Sequence, residues 1–336
     1  MANNNFKPFA AAAGANVMAQ ADYEALAALL TGFQSGTAQS AQLNKVWRQS
    51  SIMAAVLAQF IVDLTGQDAI DDGTTATLLA NLKAAVSAQS IGVVGSARNA
   101  RMIVSTPSAT ATFTADEVVV ESALGGVTYR LANFSNTINL ATTGAGGMNS
   151  GQAPASGYVA IYVIYNPVSG ASALIAKDAT AATMQSEVFS GPGMPSGYTA
   201  SALVSVVRTN ASRQFAGFFQ SNRFIGFSGV GVFGTVSGGG NAFNPQSISG
   251  AVPYNAKSYA GYANCNTAGA SAINLAVAST AEGYANQTAN MNGATNGGCM
   301  TWTGIPLSVP QTAFFYYNAT GATAQNYNFY ISGYTF

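Results

Sequence analysis

The sequence predicts an α+β chain of several domains: a helical, trimeric coiled-coil-like N-terminal region followed by two antiparallel all-β sandwich domains. The first observation is the spacing of apolar residues, which follows a helical period up to about residue 90 and a strand period after Gly92. The second is a shift from about Gly229, where Gly, Asn, Ser and Ala dominate and charged residues become rare. The expected domains are residues 1–92, 93–228 and 229–336.

Three helices are expected in residues 1–92. Asp22 to Leu30 is rich in Ala and Leu, which have high helix propensity, and Gly32 is a plausible stop. A second helix is predicted from about Ser40 to Leu64 and a third from Thr74 to Gln89. The Ala/Gly-rich segment that precedes them, Phe6 to Gly14, has no pattern of its own, and we expect it to become ordered only against a partner.

The second helix carries a broad apolar stripe. Its apolar residues fit a seven-residue pattern in which Ser50 is the one polar interruption. One short neighbouring helix cannot cover such a stripe, so we expect three chains to bury it around a common axis. The residues predicted at this trimer interface are Leu43, Trp47, Leu57, Ile61 and Leu64.

Short β-branched and aromatic runs follow Gly92. Tyr158 to Tyr165 is apolar on both faces, which predicts an internal strand. Asn166 to Gly170 and Met194 to Tyr198 have the residues of tight turns, and the second turn precedes a strand at 202–207. Further short strands are predicted at 113–114, 118–120, 127–131, 138–140 and 173–175.

The C-terminal region is either a flexible low-complexity tail or a second β domain. Ten aromatic residues in the last 35 positions favour a folded domain, because such side chains bury large areas. We expect long Asn/Gly-rich loops in it, such as Gly238 to Asn244 and Asn286 to Gly298. Its aromatic side chains suit a sugar or protein surface, with a core or a trimer interface as the alternative. The candidates are Tyr284, Trp302, Tyr316 and Tyr317.

Composition excludes several kinds of function. Only 7% of residues are charged, the formal net charge is zero, and there is no histidine. A Ser-His-Asp triad and a His-based zinc site are therefore excluded, and nothing favours binding to a nucleic-acid backbone. No apolar run reaches the roughly 18 residues that would favour membrane insertion, and no secretory signal is apparent. We expect no catalytic residue, metal or cofactor.

Few other residues suggest a catalytic, metal-binding or phosphate-binding site. Asp116, Glu117 and Glu121 could cleave a glycosidic bond but better fit a solvated turn and strand end. Asp68, Asp71 and Asp72 could bind calcium, but a capped helix–helix loop fits them better because no Glu closes an EF-hand. The glycine-rich segments 144–147 and 238–240 fit tight turns better than a phosphate site. Cys265 and Cys299 are expected to be free thiols.

Several motifs resemble tail-fibre proteins of tailed bacteriophages and prophages. The N-terminal ones are Asn16 to Tyr23, Phe33 to Ala38 and Leu43 to Gln49; the central ones are Gly144 to Gly151, the strand ending Ile164-Tyr165-Asn166-Pro167, and Pro195 to Tyr198. Together the similar regions cover roughly two thirds of the chain, and their combined order is more specific than any single motif. Residues 229–336 contain no matching motif, and the chain lacks a collagen-like run or a shaft repeat.

This resemblance implies a structural protein of the virion, made in the host cytoplasm. In such fibres three chains assemble, the N-terminal region attaches to tail or baseplate proteins, and the distal C-terminal region contacts a glycan or protein on the host cell. Here the attachment and trimerisation region would be 1–92, and the receptor-binding residues would be Tyr284, Trp302, Tyr316 and Tyr317. The alternative is a tail-associated polysaccharide-degrading enzyme, a tailspike depolymerase, but residues 229–336 contain a single acid, Glu282.

Overall fold

The computed structural model describes residues 2–33, 35–36, 39–88, 92–235, 240–293 and 296–336. The chain divides into two compact units, Met1–Ile91 and Gly92–Phe336. The first unit is helical and the second consists mostly of antiparallel β-strands. The helices of the first unit are α1 Gln20–Glu24, α2 Ala28–Thr31, α3 Ser40–Thr65 and α4 Ala76–Ala88.

The long second helix of the sequence prediction is confirmed as α3. It ends at Gly66, whose backbone is left-handed and whose N–H donates to the carbonyl of Val62 at 3.0 Å. The predicted first helix is instead two short ones, although it does stop at Gly32. Between α1 and α2 the N–H of Leu26 donates to the carbonyl of Tyr23, three residues back, so the four-residue helical ladder is interrupted.

The N-terminal segment lies along α3 in its own chain, which the sequence did not predict. The side chain of Asn4 donates to the carbonyl of Ala55 and to Gln59, and the N–H of Phe9 donates to Ser51 Oγ at 2.8 Å. Further along, Met18 bonds to Ala41 and Asn16 to Ser40 and Asn44. The Ala/Gly-rich segment Phe6 to Gly14 therefore contacts a helix of the same unit through Phe9, and residues on both sides of the segment bond to that helix as well.

Residues of α3 differ in how far they are covered. Ala58 and Ile61 are buried, and both α4 and the N-terminal segment pack against the helix. Met53 and Leu57 of the same helix are 60% and 49% exposed. Of the predicted trimer interface, Ile61 is buried within its own unit, Leu43 and Leu64 are half-buried, and Trp47 and Leu57 are exposed. A coiled coil is thus not confirmed, because part of the predicted stripe packs on this chain itself.

The second unit contains sixteen strands within its described residues. They are β1 Ala97–Arg98, β2 Arg101–Val104, β3 Thr110–Glu121, β4 Thr128–Asn139, β5 Tyr158–Tyr165, β6 Ser172–Asp178, β7 Ala200–Arg208, β8 Phe218–Ser221, β9 Phe224–Thr235, β10 Gly240–Ser247, β11 Ser258–Ala268, β12 Ala272–Ala278, β13 Gln287–Asn292, β14 Gly297–Pro306, β15 Thr312–Thr320 and β16 Ala324–Thr335.

The strands form two sheets, and every pairing between the described strands is antiparallel. Twelve form one large sheet with the order β14-β11-β16-β9-β8-β2-β3-β7-β5-β6, to which β1 and β4 add through β3. A second sheet has the order β10-β15-β12-β13.

The predicted internal strand is confirmed as β5, which lies between β6 and β7 with nearly all its residues buried. The predicted turn after it is also confirmed, because Asn166 Oδ1 accepts the N–H groups of Val168 and Ser169. The four short runs predicted between 113 and 140 are two long strands, β3 and β4, paired along their lengths. The β-branched runs marked the buried parts of these strands and missed their polar parts.

The two separate sandwiches of the prediction are not confirmed. The expected boundary between residues 228 and 229 lies inside β9, which pairs with β8 on one side and with β16 on the other. Residues from both expected domains therefore belong to one sheet. A strand hydrogen-bonded on both edges leaves no free edge at which two domains could separate.

The C-terminal region is folded rather than a flexible tail. An aromatic layer joins the four-stranded sheet to the large one: Phe315 of β15 stacks on Phe329 of β16 with 4.3 Å between ring centroids, and Phe233 of β9 contacts both. The Asn/Gly-rich stretches expected as loops mostly form β10, β13 and β14. Of the stretches named from the sequence, Gly238, Gly239, Ala294 and Thr295 lie outside the described residues.

Both cysteines are free thiols, as predicted. They lie on neighbouring strands, β11 and β14, but on opposite faces of the sheet. Cys265 is buried, whereas Cys299 is exposed and pairs across the strands with Asn264. Antiparallel partners point to the same side and sequence neighbours to opposite sides, so the two sulfurs face apart. Burial raises the pKa of the Cys265 thiol to about 11.

We expect the two thiols to react very differently in the folded protein. Because the thiolate is the nucleophile, Cys299 should react with a maleimide at neutral pH, and Cys265 only after unfolding in denaturant. Mass spectrometry after a short pulse of reagent measures this directly. The Cys299→Ser variant serves as the control and should take up no label in the pulse. Labelling of both thiols at equal rates would contradict the burial of Cys265.

Candidate binding surface

The structure separates the four aromatic residues predicted to bind a receptor. Trp302 is only 2% exposed and packs on Tyr259 and Phe315 in the layer between the sheets. Tyr317 is half-buried and faces the same layer. Trp302 is therefore a core residue rather than a surface contact. For Trp302 and Tyr317, the density of aromatic residues in the C-terminal sequence therefore reflects the packing of one sheet on the other.

The other two predicted residues are accessible but do not lie together on one described surface. Tyr316 precedes Tyr317 on β15, so it points to the outer face of the four-stranded sheet, where it contacts Phe243 at 5.8 Å between ring centroids. Tyr284 is 68% exposed in the connection between β12 and β13. Its backbone carbonyl accepts the N–H of Ser279.

A different surface emerges from the strand register of the large sheet. On its outer face, Tyr330 lies between Tyr262 and Gly231 in one row, and Asn328 lies between Asn264 and Gly234 in the next. Cross-strand partners in antiparallel strands point to the same side, so each row is a line of side chains across β9, β16 and β11. In strand β14, Thr301 lies opposite Tyr262 and Cys299 lies opposite Asn264, so this strand extends both rows. We call this surface the tyrosine–asparagine face; its residues are Gly229, Gly231, Gly234, Tyr262, Asn264, Cys299, Thr301, Asn328 and Tyr330.

The two tyrosines form one aromatic platform. Their rings are nearly parallel, at 13°, with 4.8 Å between centroids, and Tyr262 is 36% exposed. Tyr262 reaches across towards β9, where a Cβ on Gly229 would lie 2.4 Å from its hydroxyl oxygen. Only a residue without a side chain at position 229 allows the phenol to take this place. The glycine and the tyrosine pair are therefore parts of one arrangement.

A row of amides lies beside the platform. Asn328 Nδ2 donates to Asn264 Oδ1 at 3.2 Å and to Asn326 Oδ1 at 2.9 Å. These bonds fix the orientation of the amides. Within the described residues they leave Asn264 Nδ2 as an unused donor and Asn328 Oδ1 as an unused acceptor. The face therefore offers both kinds of hydrogen-bonding group next to exposed ring surface.

The tyrosine–asparagine face carries no charged residue. After Arg223 the sequence has only Lys257 and Glu282 as charges, and neither belongs to these rows. A ligand on this face would meet hydroxyls, amides and aromatic carbon. Such a surface can hold a neutral polar molecule but offers no counter-ion to a charged one.

The carboxylates that could have suggested hydrolysis are engaged elsewhere in the unit. Glu117 forms a bidentate pair with Arg130 at 2.8 Å. Asp116 accepts a hydrogen bond from Asn99, and the buried Glu121 accepts one from the N–H of Gly125. Each of the three thus has a local structural partner. The expected solvated turn and strand end is wrong in part, because Asp116 and Glu117 lie within β3 and only Glu121 ends the strand, where it is buried.

The acidic and glycine-rich segments also have structural contacts. Asp72 accepts hydrogen bonds from the side chain and N–H of Thr74, which lower its pKa, and Asp68 accepts the N–H of Asn3. No group of His, Cys, Asp or Glu residues that could hold a metal occurs in the described part of the chain. Segment 144–147 is a turn closed by the N–H of Gly147 donating to the carbonyl of Gly144. Gly238 and Gly239 of the other segment lie outside the described residues.

Sequence reasoning missed the tyrosine–asparagine face although a signal for it exists. In β11 and β16 the polar side chains of the face alternate with buried ones such as Cys265, Tyr327 and Phe329. That is the period of a half-buried strand. Asn is depleted in strands, so Asn264 and Asn328 weaken this signal. Their mutual hydrogen bond satisfies an amide donor and an amide acceptor within the sheet.

Comparison with other proteins gives no family assignment, since no protein-family model and no curated protein matches this sequence. Among the described helices, none combines the length and apolar character needed to cross a membrane.

We expect truncation of Trp302 to destabilise the protein much more than truncation of Tyr284. Trp302→Ala should lower the free energy of unfolding by about 3–5 kcal/mol, because it opens a cavity between the sheets. Trp302→Phe should cost less, since the indole N–H that it removes is buried without a hydrogen-bond partner. Tyr284→Ala, the surface control, should stay within about 0.5 kcal/mol of the wild type. Urea denaturation followed by circular dichroism measures all three, and equal losses for Trp302→Ala and Tyr284→Ala would contradict the assignment of Trp302 to the core.

Proposed function

We propose that the chain is a tail-fibre structural protein of a tailed bacteriophage or prophage, without enzymatic activity. It forms a homotrimer in the virion, attaches to tail or baseplate proteins through residues 1–92, and contacts the host cell surface through residues 229–336. The observation that carries the proposal is that two unlike exposed surfaces occur in different units. One is the apolar side of α3 in the first unit, and the other is the uncharged tyrosine–asparagine face in the second.

The apolar side of α3 supports self-association. Besides Met53 and Leu57, its exposed residues include Ile52 and Val56, so large apolar side chains follow one another on neighbouring turns of the helix. Exposed apolar patches of this kind are typical of protein interfaces. Trp47 is also exposed, but its ring packs on Phe9 of the same chain. A trimer built on this side uses Leu57 from the sequence prediction and leaves Ile61 to the core of its own chain.

The second unit supports binding to the host cell surface without catalysis. Its strand-borne surface residues are held by a continuous sheet, which gives a rigid base for binding. The low charge of the chain also fits a protein that spends its existence in an assembly, where solubility as a free monomer matters less. Several copies of a weak site on one virion would raise the strength of attachment through avidity.

We expect Leu57→Asn to weaken the trimer while leaving the fold intact. Light scattering at micromolar concentration should show a trimer for the wild type and an increased share of 34.1 kDa monomer for the variant. Leu124→Asn removes an equally large, exposed Leu from the second unit and is the matched control. A wild type that is monomeric at this concentration would contradict the proposed trimer.

We expect the full-length protein to bind saturably to some bacterial strains and not to others. Fluorescently labelled protein and flow cytometry over a panel of strains measure this. Equal binding to every strain, or to none, would contradict host recognition. Release of reducing sugar from the cells would favour the polysaccharide-degrading enzyme instead.

A further inference from the structure

We infer that the tyrosine–asparagine face binds a neutral saccharide, with Tyr262 as the aromatic platform and Asn264 and Asn328 as its hydrogen-bonding partners. This inference rests on the proposed role in host recognition and names the ligand class and the residues. A pyranose ring has apolar C–H surfaces above and below the ring and hydroxyls around its edge. The face presents the complementary groups side by side.

The geometry gives each group a defined role. Tyr262 is one-third exposed, and Tyr330, stacked on it at 4.8 Å, supports the ring. Stacked aromatic side chains provide contact area at low cost in conformational entropy. The unused donor of Asn264 and the unused acceptor of Asn328 lie in the next row and can bond to two hydroxyls of a sugar.

The glycines of β9 leave the side of the tyrosine pair that faces this strand free of other side chains. Gly231 lies opposite Tyr330 and Gly234 opposite Asn328, so no side chain rises beside either residue on that strand. Gly229 allows the Tyr262 phenol to lie within a distance that any Cβ would forbid. Glycine weakens a strand, and its repetition in β9 is therefore explained by close approach of other groups.

The absence of charge selects the class of sugar. Sialic and uronic acids carry a carboxylate, which loses hydration on binding and needs a cation in return. No row of the face contains Lys or Arg. Hexoses and N-acetylhexosamines carry only hydroxyl and amide groups, which the face can match without a counter-ion.

The same properties argue against a second copy of the chain as the occupant. Stable subunit interfaces resemble a protein core and are rich in apolar residues. Apart from the tyrosine pair, this face consists of three glycines, two amides, one hydroxyl and one thiol. Large exposed aliphatic side chains occur instead on α3, where the trimer contact is proposed.

The test uses the full-length protein and an immobilised panel of neutral oligosaccharides built from glucose, galactose and N-acetylglucosamine, with uronic-acid and sialylated oligosaccharides beside them. We expect binding to members of the neutral set and not to the acidic set. Tyr262→Ala should weaken binding about tenfold or more. Gly229→Ala should do so as well, because its methyl group displaces the phenol. Tyr262→Phe keeps the ring and should retain most of the binding.

Leu124→Ala is the control, since it removes a large exposed side chain outside the face. Thermal unfolding and light scattering verify that each variant is folded and keeps its oligomeric state. The inference is overturned if no neutral saccharide binds, if acidic sugars bind better, if Tyr262→Ala binds as well as the wild type, or if Tyr262→Ala dissociates the trimer. Strain-selective cell binding that survives Tyr262→Ala would refute this site while leaving the proposed host recognition standing.

Discussion

The second unit depends on the pairing of β9 with two strands, one adjacent to it in sequence and one about ninety residues away. On one edge β9 continues the hairpin from β8, and on the other it pairs with β16 at the C-terminal end of the sequence. This double pairing makes one sheet of residues that would otherwise form two. It also brings β16 and β11 to the position where the aromatic layer can cover one side and the tyrosine–asparagine face can occupy the other. Core and candidate site therefore share the same strands.

The sequence predicted local structure well wherever one physical signal was sufficient. Short-range rules of burial, propensity and turn chemistry account for the continuous apolar run of β5, the α3 helix and the Asn-led turn at 166–170. Where two signals compete, prediction was less accurate. Asn264 and Asn328 lie within strands, where their amides bond across the sheet, a contact that strand propensity alone does not describe.

The candidate site could not be predicted because it depends on register. Tyr262 and Tyr330 are far apart in sequence, and their stacking follows only from the alignment of β11 with β16. Trp302 illustrates the converse, since its residue type suggested a binding surface but its position on β14 points it inward. For α3 the helix was predictable, but which side of it stays exposed depends on the N-terminal segment, whose Asn and Ser contacts leave no periodic signal.

The uncharged character of the tyrosine–asparagine face has a kinetic consequence. Between exposed charges, attraction is screened over a Debye length of about 8 Å at physiological ionic strength, so adsorption driven by charge weakens as salt rises. Contacts made through amides, hydroxyls and ring surface act at short range and lack this dependence. A particle that relies on them gains no electrostatic steering, and its encounter rate falls in the ordinary range of about 10⁵–10⁶ M⁻¹s⁻¹. The proposed attachment through this face is therefore expected to keep its strength as the ionic strength rises.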